Sequence, residues 1–336
     1  MQDQAIVIGI GHYPHFAADG KSANDLKGSV ADAEAVAVWL AGAGAKVTLI
    51  TSSGVDGTPW MVNVLHPAHP VTSDLDATFV PFVTAQTSNV ANRLYVYAAG
   101  HGLAPDPASR CLIMADAAGI SWVPNLEIPA WIYWFTNQIQ FNELVLWMDC
   151  CGTQALEYTP TKPAGLPKTA SRTPPPAKVF MAFASGFGRV AYEGPVGAGG
   201  QIRGLFTDRL LKGLNGAAAD ALGHVTSRSL ANYLRYGPAG AARGTEEFAT
   251  VPHEENMLFA IRPPPTYRIR PVRGDGALAP DGTLVTLTSP PGPLLVTALV
   301  EQGWVSFALG VGLYKLSGGG AERLIDIAAT TPADYQ

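Results

Sequence analysis

The stretch that most constrains this chain is residues 144–154, Leu-Val-Leu-Trp-Met-Asp-Cys-Cys-Gly-Thr-Gln. Five apolar residues run without alternation and stop at an acid, two thiols and a glycine. An unbroken apolar run of that length marks a strand buried on both faces of a parallel sheet. In open α/β sheets, ligands bind outside the carboxyl ends of the strands, where Asp149, Cys150 and Cys151 are expected. Residues 94–102 repeat the design, with Leu-Tyr-Val-Tyr-Ala-Ala leading into Gly100, His101 and Gly102. A histidine at one strand end and a cysteine at another are the parts of a thiolate–imidazole nucleophile.

The surrounding sequence supplies more strands and helices. Residues 5–10 form a first buried strand. Gly9 and Gly11 follow it, but no third glycine arrives on the dinucleotide spacing and Pro14 interrupts, so that fingerprint is rejected. Val30, Ala33, Val36, Ala37 and Leu40 make a helical stripe over 23–40, ended by Gly42 and Gly44. Further strands are expected over 46–50, 94–98, 144–148, 179–184 and 256–261. Helices are expected over 73–92, 131–141, 205–214 and 227–236, with 51–72 as loop. This alternation predicts a doubly wound, parallel α/β sheet flanked by helices over residues 1–262. Within it, residues 158–178 carry six prolines among Thr, Lys and Gly and read as an exposed linker. After Pro263-Pro264-Pro265, short apolar runs split by Gly/Pro turns predict a small all-β domain over 266–336.

Composition excludes several functions. A net charge of -5 disfavours nucleic-acid and anionic-membrane partners, which need basic patches. No phosphate-binding GxxxxGK[ST] stretch is present, which disfavours a flavodoxin-like nucleotide-binding reading. The apolar stretch 294–313 is broken by Glu301-Gln302-Gly303, which suits a hairpin and not a membrane span. Three cysteines, two of them adjacent, make no disulfide framework and point to a reducing compartment. The start Met1-Gln-Asp-Gln does not read as a signal peptide. The expected location is the cytoplasm, with no cofactor and no metal.

Five stretches together bring up a family. They are Ile6-Val-Ile-Gly-Ile-Gly-His-Tyr-Pro14, Leu26-Lys-Gly-Ser-Val-Ala-Asp-Ala33, Tyr97-Ala-Ala-Gly-His-Gly102, Asp149-Cys-Cys151, and Val190-Ala-Tyr-Glu193 followed by Gly204-Leu-Phe-Thr207. In this order, residues 1–262 resemble the caspase-like cysteine peptidases of the metacaspase and orthocaspase branch. The 50 residues between His101 and Cys151 match the separation found in caspases. The resemblance implies a caspase-like, mostly parallel sheet flanked by helices, and an endopeptidase acting on protein or peptide substrates. It implies His101 as general base, Cys151 as nucleophile, and an oxyanion site formed by the backbone N–H groups of Gly102 and Cys151. Such donors are worth about 3–4 kcal/mol in the transition state, and an adjacent imidazole favours the attacking thiolate. The nucleophile lies two residues after the acid that opens the family's motif, which selects Cys151 over Cys150. Adjacent side chains of an extended chain also point in opposite directions, so both thiols cannot face His101.

By the same resemblance, Asp32 and Asp149 fall where the family holds a basic side chain before the scissile bond, with Ser29 and Ala99 nearby. Carboxylates there attract arginine or lysine. The linker carries Lys162, Lys168 and Arg172 as candidate self-cleavage sites, and residues 266–336 offer a surface for a regulatory partner. Two departures stand out. Gly152-Thr153-Gln154 replaces the His-Ser-Gly that often follows the cysteine in the family, and the acids that accompany Asp116 as calcium ligands in some relatives have no clear counterparts, so no calcium site is assigned.

Each residue also has a plainer reading. A cysteine at a strand end is more often a small buried hydrophobe, which is the reading kept for Cys111 and Cys150. Asp149 could cap a helix, and Asp32 could be a solvated helix residue. His66 and His69 have a metal-like count but no cysteine or carboxylate companions. His12 and His15 line the first loop without an assigned role. Trp131, Tyr133, Trp134 and Phe135 read as core. At the level of the whole chain, the competing function is a non-catalytic caspase-fold scaffold.

Overall fold

The computed structural model describes residues 2–16, 24–62, 68–85, 90–119, 121–163, 176–196, 199–220, 223–236, 248–251, 257–262, 266–288, 295–309, 312–327 and 334–335. By compactness it falls into two units: residues 1–211 with 245–255, and residues 212–244 with 256–336.

The first unit is built on one sheet. In chain order its early elements are β1 (Gln4–Gly9), α1 (Ser29–Gly42), β2 (Lys46–Thr51), β3 (Gly54–Val55), β4 (Thr58–Pro59) and α2 (Thr72–Val83). Then come β5 (Arg93–Ala99), β6 (Gly102–Leu103), β7 (Cys111–Ile113), β8 (Asn125–Glu127), α3 (Ile128–Thr136), β9 (Glu143–Asp149) and β10 (Lys178–Phe183). β11 (Glu193–Val196) and β12 (Gln201–Gly204) form a hairpin leading into α4 (Leu205–Lys212). The main sheet has the order β14-β10-β9-β5-β1-β2-β3-β4, where β14 is Ala249–Val251. Its five central strands are parallel, while β14, β3 and β4 pair antiparallel at the edges.

The apolar runs explain the layering. Ile6, Ile8, Val96, Ala98, Leu146 and Met148 share one core cluster with Phe79 of α2 and Trp131 of α3. Their spacing of two residues places them on one sheet face. Residues between them serve the other face, where Trp147 meets Trp39 of α1 edge-on at 6.2 Å. Helices therefore cover both faces, as a parallel sheet requires. Trp131 and Phe135 are buried as expected, whereas Tyr133 of the same helix is exposed. Gly9 belongs to this packing and not to a phosphate loop. A Cβ there would stand 2.6 Å from Ala33 Cβ, so glycine lets α1 lie flush on the end of β1.

Three expectations need correction. The strand expected at 256–261 is β15 (Leu258–Ile261) and lies outside the main sheet, paired antiparallel with β13 (His224–Thr226) in the second unit. The main sheet ends instead on β14. The loop expected at 51–72 contains the small β3–β4 hairpin. Residues 158–163 are less detached than a linker. Asn125 Nδ2 donates to Thr159 O, Glu127 N to Thr161 O, and Pro163 is buried.

The second unit holds β13, α5 (Ser227–Tyr236), β15 and the strand-rich C-terminal sheets. β16 (Thr266–Ile269) pairs with β19 (Val305–Ala308) and β22 (Asp334–Tyr335). β17 (Leu284–Thr288), β18 (Leu295–Leu299), β20 (Gly312–Gly318) and β21 (Ala321–Ile327) form a four-stranded antiparallel sheet. Their buried side chains, from Tyr267 to Ile327, make a core of their own. Among the described residues, no helix is long and apolar enough to cross a membrane.

Candidate active site

Sheet register brings the histidine and the cysteine together. β5 and β9 are parallel neighbours in which Ala99 stands opposite Asp149. Gly100 N donates to Asp149 O at 3.2 Å, which continues the pairing beyond the strand ends. His101 and Cys151 each lie two residues past that matched pair. Both line a cavity of about 120 Å³, together with Ser29, Asp32, Ala99 and Asp149. The cavity also takes in Glu193, whose role the sequence left unassigned.

His101 is fixed from several directions. Its backbone N–H donates to Tyr13 Oη at 2.9 Å, and that hydroxyl donates to Ile113 O at 3.3 Å. The imidazole lies against the rings of Tyr13 and Phe16, with centroids 4.8 and 5.3 Å away. Nε2 is 2.6 Å from Asn24 O. A carbonyl only accepts, so Nε2 carries the proton and, in the neutral ring, Nδ1 holds the free lone pair. Burial pushes the imidazole below its usual range, against the raising influence of the Asn24 carbonyl. Asp25 anchors the loop before it, accepting from Tyr13 N at 2.7 Å and pairing with His12 Nδ1 at 3.0 Å. Burial raises that carboxyl, but the Tyr13 and His12 contacts outweigh it and leave Asp25 below its usual value.

Cys151 is partly exposed, whereas Cys150 is buried. Ala191 N donates to Cys151 Sγ at 3.2 Å. Burial pushes the Cys151 thiol up despite that contact, and pushes Cys150 much further. Burial thus disfavours charge on both groups, opposing the pull of an adjacent imidazole towards thiolate. The segment after Cys151 is braced by Ser185, whose hydroxyl accepts from Gly152 N at 2.7 Å, and by Arg189 O, which accepts from the same N–H at 2.9 Å. Gly102 packs against this segment: a Cβ on it would lie 2.5 Å from Cys151 O.

The acids are ordered by their neighbours. Asp149 Oδ2 accepts from Thr207 N at 3.1 Å and Thr207 Oγ1 at 2.5 Å, so it caps the first turn of α4 while lining the cavity. The plainer reading, a helix cap, holds for a carboxylate that also lines the cavity. Asp32, on the first turn of α1, is buried and not solvated, and its Oδ2 accepts from Gly204 N at 2.6 Å. Burial pushes Asp32 up to about 7 and Asp149 up to about 6. Glu193 accepts from Lys27 N at 3.0 Å and Gly28 N at 2.9 Å, placing a carboxylate at the N-terminus of α1, where its dipole favours negative charge.

The remaining candidates lie elsewhere. Lys162 is exposed, and Lys168, Arg172 and His66 lie outside the described residues. His69 stacks on Trp60 and pairs with Asp74 at 2.7 Å. Among the described residues no group of His, Cys, Asp or Glu is arranged to hold a metal ion.

The caspase-domain model of the peptidase families matches residues 2–236. The chain belongs to the caspase-domain family. That match spans β1 to α5 and covers every residue of the cavity. Among solved structures, the chain is similar to caspase-1 from Spodoptera frugiperda, at 15% identity over 78% of this chain and 92% of that one, with a TM-score of 0.49. A protein from Geobacter sulfurreducens follows at 14% identity, over 75% and 94% of the two chains, with a TM-score of 0.46. Pro-sf-caspase-1 matches at 16% identity over 75% and 86%, with a TM-score of 0.42. No curated protein matches the chain. The fold is thus a caspase domain with additional strand-rich sheets at the C-terminus.

Proposed function

We propose that this caspase domain is an active cysteine endopeptidase of the metacaspase or orthocaspase type that cleaves proteins after arginine or lysine. The observation that carries the reading is one cavity lined by His101, Cys151 and three carboxylates, those of Asp32, Asp149 and Glu193. His101 Nδ1 takes the Cys151 proton as sulfur attacks the scissile carbonyl, so charge forms only with the bond. The backbone N–H groups of Gly102 and Cys151 receive the oxyanion. As the tetrahedral species collapses, the imidazolium protonates the leaving amine. Water, activated by the same imidazole, then hydrolyses the thioester and frees the thiol.

The substrate's basic side chain occupies the acidic part of the cavity. Two of its three acids sit at raised pKa when it is empty, and an entering cation favours their ionised forms. A cytoplasmic setting and a role in regulated proteolysis, such as bacterial defence or cell death, follow from family analogy. A peptide library varied at the residue before the cleaved bond, offered to wild type and Cys151→Ala, tests the proposal. Cleavage after Arg and Lys by wild type alone is expected. A wild-type protein that cleaves nothing, yet binds other proteins, would instead be a non-catalytic scaffold.

A further inference from the structure

The β11–β12 hairpin brings a cation of the chain's own to the acids. Arg203 stands opposite Gly194 in the hairpin, and its Nη1 lies 3.7 Å from Asp32 Oδ1. The two oxygens of Asp32 are unequal. Oδ2 is taken by Gly204 N, while Oδ1 is buried and has no hydrogen-bond partner. At 3.7 Å the guanidinium is a counter-ion but not a donor. The backbone holds it at that range. Gly28 lies so close to the hairpin that a Cβ on it would meet Arg203 Cα at 3.0 Å, and Glu193 ties the preceding strand to α1. The Arg203 side chain is still about one-fifth exposed, against 1% for Asp32. It can therefore swing towards solvent while Asp32 cannot.

We propose that Arg203 is a specificity-determining residue, holding the place of the substrate's basic side chain at Asp32 Oδ1 and yielding that oxygen when arginine or lysine enters. The inference rests on the basic-residue reading of the cavity. It gives the hairpin a purpose beyond placing Glu193 at α1. The resident cation faces Asp32 when the cavity is empty, and a substrate guanidinium wins by making the hydrogen bond that Arg203 is too distant to make. The resident cation also weakens binding of every basic substrate, because a second cation near the same carboxylates repels the first.

The test compares wild type, Arg203→Gln and Arg203→Lys on two peptides that differ only in carrying arginine or its neutral isostere citrulline before the cleaved bond. Arg203→Gln should raise the arginine-over-citrulline ratio of kcat/KM about fivefold, the scale of a partly exposed ion pair, with the gain in KM. Arg203→Lys should return the ratio towards wild type. A variant that loses ground on both peptides alike would make Arg203 a brace for the hairpin and overturn the inference.

If Arg203→Gln fails to fold, the wild-type protein still decides. Phenylglyoxal, which modifies guanidinium groups, should label Arg203 faster when an arginine product peptide is bound, and no faster with the citrulline peptide. Unchanged labelling overturns the inference. A wild type with no preference for arginine over citrulline overturns the specificity reading itself and the inference with it. Preference with an unchanged ratio in Arg203→Gln removes the inference alone.

Discussion

Gly102 has no room for a side chain, since a Cβ there would lie 2.5 Å from Cys151 O and 2.7 Å from Cys150 Cβ. Gly102→Ala must push the Cys150–Cys151 segment aside. We expect about 1–3 kcal/mol of lost stability and a loss of about 10²-fold in kcat, the usual consequence of an ångström's misplacement of reacting groups. Thermal melts and peptide turnover check both. The raised acids give a pH signature. Asp32 titrates near 7 in the folded chain but near 4 when unfolded. Between those values the folded state holds a proton that the unfolded state has released, so this group's contribution to stability falls as pH rises. The Tm of Asp32→Asn should therefore gain on wild type from about pH 4 to about pH 7 and then hold its lead. A constant difference would contradict the assignment. The same ionisation should lower KM for arginine peptides as pH rises through 6 and 7. Much of the site at this scale was readable, because His101, Cys151, Asp32 and Asp149 sit in short motifs beside glycines or strand ends. Asn24, Asp25 and Ser185 carried no such signal, and Tyr13, although inside the first motif, was not singled out. They act through backbone groups or ring contacts fixed only by tertiary packing, such as Asn24 O on the imidazole.

Among the elements, the central strands were legible because parallel strands buried on both faces read as unbroken apolar runs. The edge strand β14 is three residues long and pairs antiparallel, so it leaves almost no pattern. β15 was misplaced because Leu258–Ile261 is as apolar as a central strand, and only its pairing with β13 distinguishes it. The β11–β12 hairpin was missed as structure although its ends, Glu193 and Gly204, lie in recognised motifs. Residues 158–178 carry the prediction at this scale. Its six prolines disfavour helix and strand in such a sequence, and a protease cleft accepts extended chain. We expect wild-type protein to nick itself after Lys162, Lys168 or Arg172, and Cys151→Ala purified the same way to stay whole by intact mass spectrometry. Nicking that persists in Cys151→Ala would point to another protease. Lys162 is exposed, but its neighbour Thr161 is hydrogen-bonded to β8. Cleavage there must first release that contact.

For the whole molecule, among the described residues, the core spanning Tyr267 to Ile327 draws on residues after 266, while the main cluster draws on residues before 184. A chain ending near Arg262 should therefore stay soluble and keep the melting transition of the main sheet, as size-exclusion chromatography and calorimetry would show. Aggregation would mean that residues 266–336 cover surface the rest needs. Pro263-Pro264-Pro265 marked this change of composition, whereas the grouping of residues 212–244 with the C-terminal sheets rests on long-range contacts with no local mark. In the proposed function, one thiol does chemistry on substrates whose basic side chain fills the acidic cavity. A peptide ketone electrophile bearing arginine, incubated with wild type and mapped by mass spectrometry, tests it most directly. One adduct on Cys151 is expected, undiminished in Cys150→Ala, absent in Cys151→Ala, much slower in His101→Ala, and not formed by the matching aspartate electrophile. An adduct on Cys150, or faster labelling by the aspartate reagent, would contradict it.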